Sequence, residues 1–117
     1  MKLINLILAF GLATSSCFAI GQEKIAVVLM HGKQGGGPRD TSLESLHRKL
    51  QDSGMQVVKP EMPWSFNRFI EGNWDTAINE IKLHVEKAKQ SGATKVVLMG
   101  HSLGSPAAVS YTHLRAH

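Results

Sequence analysis

The chain has 117 residues, with 13 Lys plus Arg against 9 Asp plus Glu for a net charge of +4, and 43% of its residues are hydrophobic. That is room for one small domain or a piece of a larger one; it excludes two domains and argues against disorder. The surplus charge is scattered and only 6% of residues are aromatic, so a nucleic-acid groove is not expected and the basic pI points to no particular partner.

The first element is an export signal over residues 1–19. Lys2 supplies its basic start, Leu3 to Leu12 an apolar core interrupted by Asn5 and Gly11, and Cys17-Phe18-Ala19 a small-x-small cleavage site. The core is shorter than the roughly 20 apolar residues a bilayer span requires. Cleavage after Ala19 predicts a mature protein beginning at Ile20, in the periplasm or outside the cell, with no stable membrane span. An uncleaved anchor and lipidation at Cys17 are the alternatives, and Thr14-Ser15-Ser16 lacks the aliphatic residue a lipobox places there. Cys17 is the single cysteine, so an internal disulfide is excluded and the mature chain has no thiol.

From Lys24 to Met30 the run Ile25-Ala26-Val27-Val28-Leu29-Met30 is continuously apolar and rich in branched residues, the pattern of a strand buried on both faces. It runs into His31-Gly32-Lys33-Gln34-Gly35-Gly36-Gly37-Pro38, which continues neither a strand nor a helix. A helix is expected next: Thr41-Ser42-Leu43-Glu44 has capping-box spacing, Leu43, Leu46 and Leu50 share a face, and Gly54 stands at a C-cap position. A short strand at Gln56 to Lys59 is stopped by Pro60 and Pro63. Trp74, Ala77, Ile78, Ile81, Val85 and Ala88 mark the stripe of a second helix that ends at Ser91-Gly92. Lys95 to Met99 repeats the buried-strand pattern. Strands joined by helices of this length are parallel, with right-handed crossovers, so the fold class is α/β with an open sheet flanked by helices.

Gly100-His101-Ser102-Leu103-Gly104 follows the third strand and precedes small residues that can open a helix. In that context G-x-S-x-G is a sharp strand-to-helix turn that presents the serine hydroxyl, its glycines needed because side chains would collide with neighbouring strands. The helix start aims backbone N–H groups and its positive dipole end at the same spot, which favours an oxyanion beside Ser102. A tight turn with an incidental serine is the plain structural alternative. Gly35-Gly36-Gly37 suggests a phosphate cradle, but neither Gly-Lys-Ser/Thr nor G-x-G-x-x-G can be aligned, so no nucleotide, metal or organic cofactor is expected. Trp64, Phe66 and Phe69 either pack or line an acyl pocket, with packing favoured. Arg39 and Arg68 could meet an anionic substrate, although solvation is the default for both.

With these motifs in this order, the chain resembles the α/β-hydrolase family over Lys24 to about Ala108, the first half of such a domain. His31-Gly32 looks like that family's HG motif, and the resemblance implies that Ser102 is the nucleophile. It implies too that the backbone N–H groups of Lys33 or Gln34, together with that of Leu103, hold the oxyanion, while His31 is structural rather than the base. The implied function is an exported serine hydrolase acting on an ester, thioester or amide carbonyl of a small-molecule or acyl substrate. The alternative is a non-catalytic binding protein on the same fold.

Such chemistry needs a histidine and a carboxylate after the nucleophile. The 15 residues after Ser102 contain neither Asp nor Glu, and His113 and His117 fall on the helix leaving the serine. The sequence therefore reads as the N-terminal part, residues 20–117, of a domain truncated after the nucleophile elbow, inactive by itself, with 110–117 read as a non-native tail.

Overall fold

A computed structural model describes residues 21–36 and 40–115. The export signal expected over 1–19, Gly37 to Arg39 and the last two residues lie outside them. Three strands, β1 (Ile25–Met30), β2 (Gln56–Val58) and β3 (Lys95–Gly100), form one parallel sheet in the order β2-β1-β3. Three α-helices, α1 (Glu44–Asp52), α2 (Trp74–Gln90) and α3 (Gly104–Arg115), connect and flank them. The expected α/β class and parallel strands are what the structure has.

β1 lies in the centre because its sequence has no polar side to offer. Ala26 to Met30 are each 2% exposed or less, and each buried Val, Leu or Met side chain is worth about 1.5–3 kcal/mol. Val28 and Met30 meet Ile78, Ile81 and Val85 of α2 and Ala107 and Tyr111 of α3 in a single core that also takes in Met62 and Trp64. β3, expected to be buried on both faces, is only half-buried. It is an edge strand, paired with β1 alone among the described residues.

α2 forms where its stripe predicts. Asn73 caps it, accepting from the Thr76 N–H at 3.0 Å while the Thr76 hydroxyl takes the Asn73 N–H at 3.3 Å, a reciprocal pair that the sequence reading did not single out. The Thr41–Glu44 capping box expected for α1 does not form. The first residue before that helix is Leu43 with no side-chain cap, and the Glu44 carboxylate is drawn instead to Arg48 and Lys59, each at 3.2 Å. α1 buries none of its residues and Leu46 is exposed, because the short β2 gives its apolar stripe little to cover. Its far end is as expected: Gly54 turns left-handed at φ 88°, and Met55 N–H reaches back to the Leu50 carbonyl at 3.2 Å.

The strand order sets the site. From β1 the chain crosses to one side for β2 and then to the other for β3, so the loops that leave β1 and β3 part just beyond their paired ends, Met30 and Gly100, and leave a crevice there. In open α/β sheets that crevice is where ligands bind.

Candidate active site

Ser102 sits in the crevice on the turn between β3 and α3. It is exposed and its φ is +54°, a left-handed conformation that costs a non-glycine residue roughly 1–2 kcal/mol. The two motif glycines make the turn possible. A Cβ on Gly100 would lie 2.2 Å from the carbonyl carbon and oxygen of Gly104, and a Cβ on Gly104 would lie 2.7 Å from the Met30 carbonyl oxygen. Neither clash can be relieved by rotating a side chain. The first glycine lets α3 fold back on its own strand, and the second lets it press against β1. The Ser105 hydroxyl ties the turn down by donating to the Gly100 carbonyl at 2.7 Å.

The loop after β1 comes to the same place. A Cβ on Gly32 would stand 2.9 Å from Ser102 Cβ and 3.2 Å from His101 Nδ1, so only a glycine lets the loop pass this close to the serine. Gly32 to Gly35 then close a β-turn, Gly35 N–H donating to the Gly32 carbonyl at 3.1 Å, with Gln34 left-handed at φ 62°.

The candidate oxyanion donors separate here. The Gln34 N–H is already donated to the Trp64 carbonyl at 3.0 Å, which removes it as an oxyanion donor. The N–H groups of Lys33 and Leu103 have no acceptor among the described residues. They belong to the two chain segments that meet at Ser102.

His31 holds this loop in place. It is buried, its Nδ1 lies 2.7 Å from the Gly32 carbonyl oxygen, and its Nε2 accepts the Met62 N–H at 2.9 Å. The two contacts together require the neutral ring with its proton on Nδ1. The Trp64 indole N–H donates to the His31 carbonyl at 2.9 Å and its ring meets the imidazole edge-on. With both nitrogens engaged, His31 is a strut between the β1 loop and the Met62–Trp64 segment.

Asp40 closes the far end of the loop. Its carboxylate accepts the Gly36 N–H at 2.5 Å and the Ser42 N–H at 2.9 Å. Those hydrogen bonds, Gly36 first, hold its pKa down to about 2. The sequence reading passed over Asp40, whose position between a glycine run and a helix start is where an Asp accepts backbone N–H groups.

His101 is exposed, with its Nδ1 beside Gly32 at the site. The other residues singled out in the sequence fall elsewhere. His113 lies nine residues beyond the start of α3, about 14 Å along the helix, and lines a cavity shared with Thr94 and Val96 at the opposite end of β3. Arg68, read as solvated or substrate-facing, is neither: it makes a two-pronged pair with Glu80 at 2.7 and 2.8 Å, reaches Glu71 at 2.9 Å and donates to the Glu61 carbonyl at 2.8 Å. Arg39 lies outside the described residues. Trp64 packs as expected, stacked on Trp74 with ring centroids 6.1 Å apart. Phe66 and Phe69 do not pack; they are 65% and 85% exposed. No group of three His, Cys, Asp or Glu side chains suited to a metal ion occurs among the described residues.

The arrangement presents an exposed serine on a strained turn, where the two chain segments that carry the Lys33 and Leu103 N–H groups meet. It can direct an attack and hold a developing negative charge. No described imidazole or carboxylate bonds the Ser102 hydroxyl.

Comparison with curated proteins returns no match, and neither does comparison with solved structures. A family model described as "Protein of unknown function (DUF1749)" matches residues 7–116, nearly the whole chain. The chain belongs to that family.

Proposed function

We propose that this chain carries the nucleophile of a serine hydrolase that cleaves an ester, thioester or amide carbonyl. The observation that supports it most directly is the convergence of two glycine-cleared segments on Ser102. The serine is left-handed at φ 54°, and the Gly32 loop passes close enough that a single added carbon would touch it.

In this reading Ser102 Oγ forms a bond to the carbonyl carbon and its proton passes to a general base supplied from outside the described residues. The carbonyl oxygen, now negative, accepts from the Lys33 and Leu103 N–H groups. Collapse expels the leaving group, which takes up the proton, and water then releases the acyl group from Ser102 by the same steps. Export follows from Lys2, the apolar core and the Ala19 cleavage site, and places the reaction in the periplasm or outside the cell.

A second reading is a binding protein that keeps the fold without turnover. One observation favours it: Ser102 has no imidazole partner among the described residues. Labelling with a serine-directed fluorophosphonate separates the two. Mass addition on the Ser102 peptide, lost in Ser102→Ala, is expected for the hydrolase. A protein that is folded but unlabelled leaves the binding protein standing.

A further inference from the structure

Phe66, Phe69 and Ile70 form an apolar surface that the folded chain holds open. They are 65%, 85% and 58% exposed, and the two phenyl rings stand 6.4 Å apart, close enough to act as one surface. Most exposed hydrophobic residues are scattered and need no explanation. Here three lie within five residues.

Their exposure is built into the backbone. Phe69 and Ile70 are both left-handed, at φ 51° and 59°, a conformation that is especially unfavourable for a β-branched side chain. It is imposed from both sides. Ser65 caps the short turn Phe66–Arg68 by accepting the Arg68 N–H at 3.1 Å, and Glu71 N–H donates to the Pro63 carbonyl at 2.9 Å. At the centre the Arg68 guanidinium is locked to Glu80, Glu71 and the Glu61 carbonyl. A segment fixed at so many points keeps its apolar side chains in water at a steady cost, and strained positions of this kind gather where a ligand is held.

The segment is continuous with the candidate site. Phe66 N–H donates to the Gly35 carbonyl at 3.4 Å, and Gly35 closes the β-turn that begins at Gly32, which touches Ser102. The backbone that carries Phe66 is thus joined through Gly35 to the loop that passes Ser102.

We propose that Phe66, Phe69 and Ile70 are a platform for the apolar chain of an acyl group whose carboxyl carbon sits at Ser102, so that medium-chain acyl groups are bound in preference to acetyl. The proposal rests on the hydrolase reading for the position of the carboxyl carbon. The carboxylate of a free alkanoate, the product of such a reaction, takes the Lys33 and Leu103 N–H groups, and its chain lies across the two rings.

The test is a calorimetric titration of the full chain with sodium acetate, butyrate, hexanoate, octanoate and decanoate below their micelle concentrations. Full burial of a methylene gives roughly fourfold in affinity, and an open platform covers about half of it, so about twofold per added methylene is expected. Phe66→Ser and Phe69→Ser should each flatten that dependence while leaving the urea midpoint within error of wild type. Leu83→Ser, which removes an apolar side chain exposed on α2, should leave it unchanged. Equal affinity for acetate and decanoate, or a chain-length dependence that survives both Phe substitutions, overturns the proposal. So does a concentration-dependent dimer that Phe69→Ser abolishes, which would make the platform a contact between copies. Ser102 labelling is scored separately: chain-length dependence without labelling sinks the hydrolase and leaves the apolar ligand, whereas labelling with a flat dependence keeps the hydrolase and discards the platform.

Discussion

Replacing Gly100 by alanine tests whether the turn at Ser102 depends on backbone contact. The added Cβ would lie 2.2 Å from the Gly104 carbonyl carbon and oxygen and 2.6 Å from the Ser105 nitrogen. Reaching an ordinary 3.4 Å contact requires the first turn of α3 to retreat by about 1.2 Å. It cannot retreat alone, because Ser105 Oγ is bonded to the Gly100 carbonyl and Tyr111 and Ala107 are set in the core with Met30. Overpacking of this kind costs about 1–3 kcal/mol, and loss of the Ser105 hydrogen bond adds about 1 kcal/mol. Gly100→Ala should therefore destabilise by about 3 kcal/mol, a large share of the stability of a small domain. With a urea slope of about 1–1.5 kcal/mol/M for a chain of this size, the midpoint should fall by about 2–3 M. The assay is urea unfolding followed by circular dichroism, with Gly21→Ala as reference, since nothing lies within 4 Å of a Cβ there. If the two variants unfold at the same urea concentration, the packing argument for the motif glycines is wrong.

Three other outcomes follow from the same contacts. Ser102→Gly should stabilise the chain by about 1 kcal/mol in urea, because glycine adopts φ 54° without strain, whereas Ser102→Ala should not. Asp40 has a folded pKa of about 2 against an ordinary 3.8, so its contribution is present above about pH 4 and lost as the pH falls through about 2; after allowance for solvent screening it amounts to about 1–2 kcal/mol. Unfolding midpoints taken down that range should fall less in Asp40→Asn than in wild type. Arg68→Lys keeps the charge but cannot reproduce the two-pronged contact with Glu80 or reach the Glu61 carbonyl as well; a loss of about 1–2 kcal/mol is expected, and thermal melts of Arg68→Lys indistinguishable from wild type would count against the clamp.

Local patterns were enough to identify β1, α2 and the elbow. Ala26 to Met30 have no polar residue, so they can only be buried; Ala77, Ile78, Ile81, Val85 and Ala88 repeat at helical spacing; and Gly100-His101-Ser102-Leu103-Gly104 follows its strand directly. These signals lie within a few residues of one another, where covalent geometry does the work. What needed the tertiary structure was every choice among competing partners. Glu44 has the spacing to cap α1 but finds Lys59, fifteen residues away, along with Arg48. Arg68 looks solvated in sequence and is instead the centre of a clamp with Glu80. Lys33 and Gln34 are equivalent as written, and only the Trp64 carbonyl, thirty residues on, takes the second N–H and leaves the first. Phe66 and Phe69 have the composition of core residues, yet a backbone fixed from Ser65 to Glu71 turns them outward. Sequence determines what a residue is able to bond or bury; which partner it obtains is decided by the approach of distant segments, and that approach exists only once the sheet has brought the ends of β1 and β3 together.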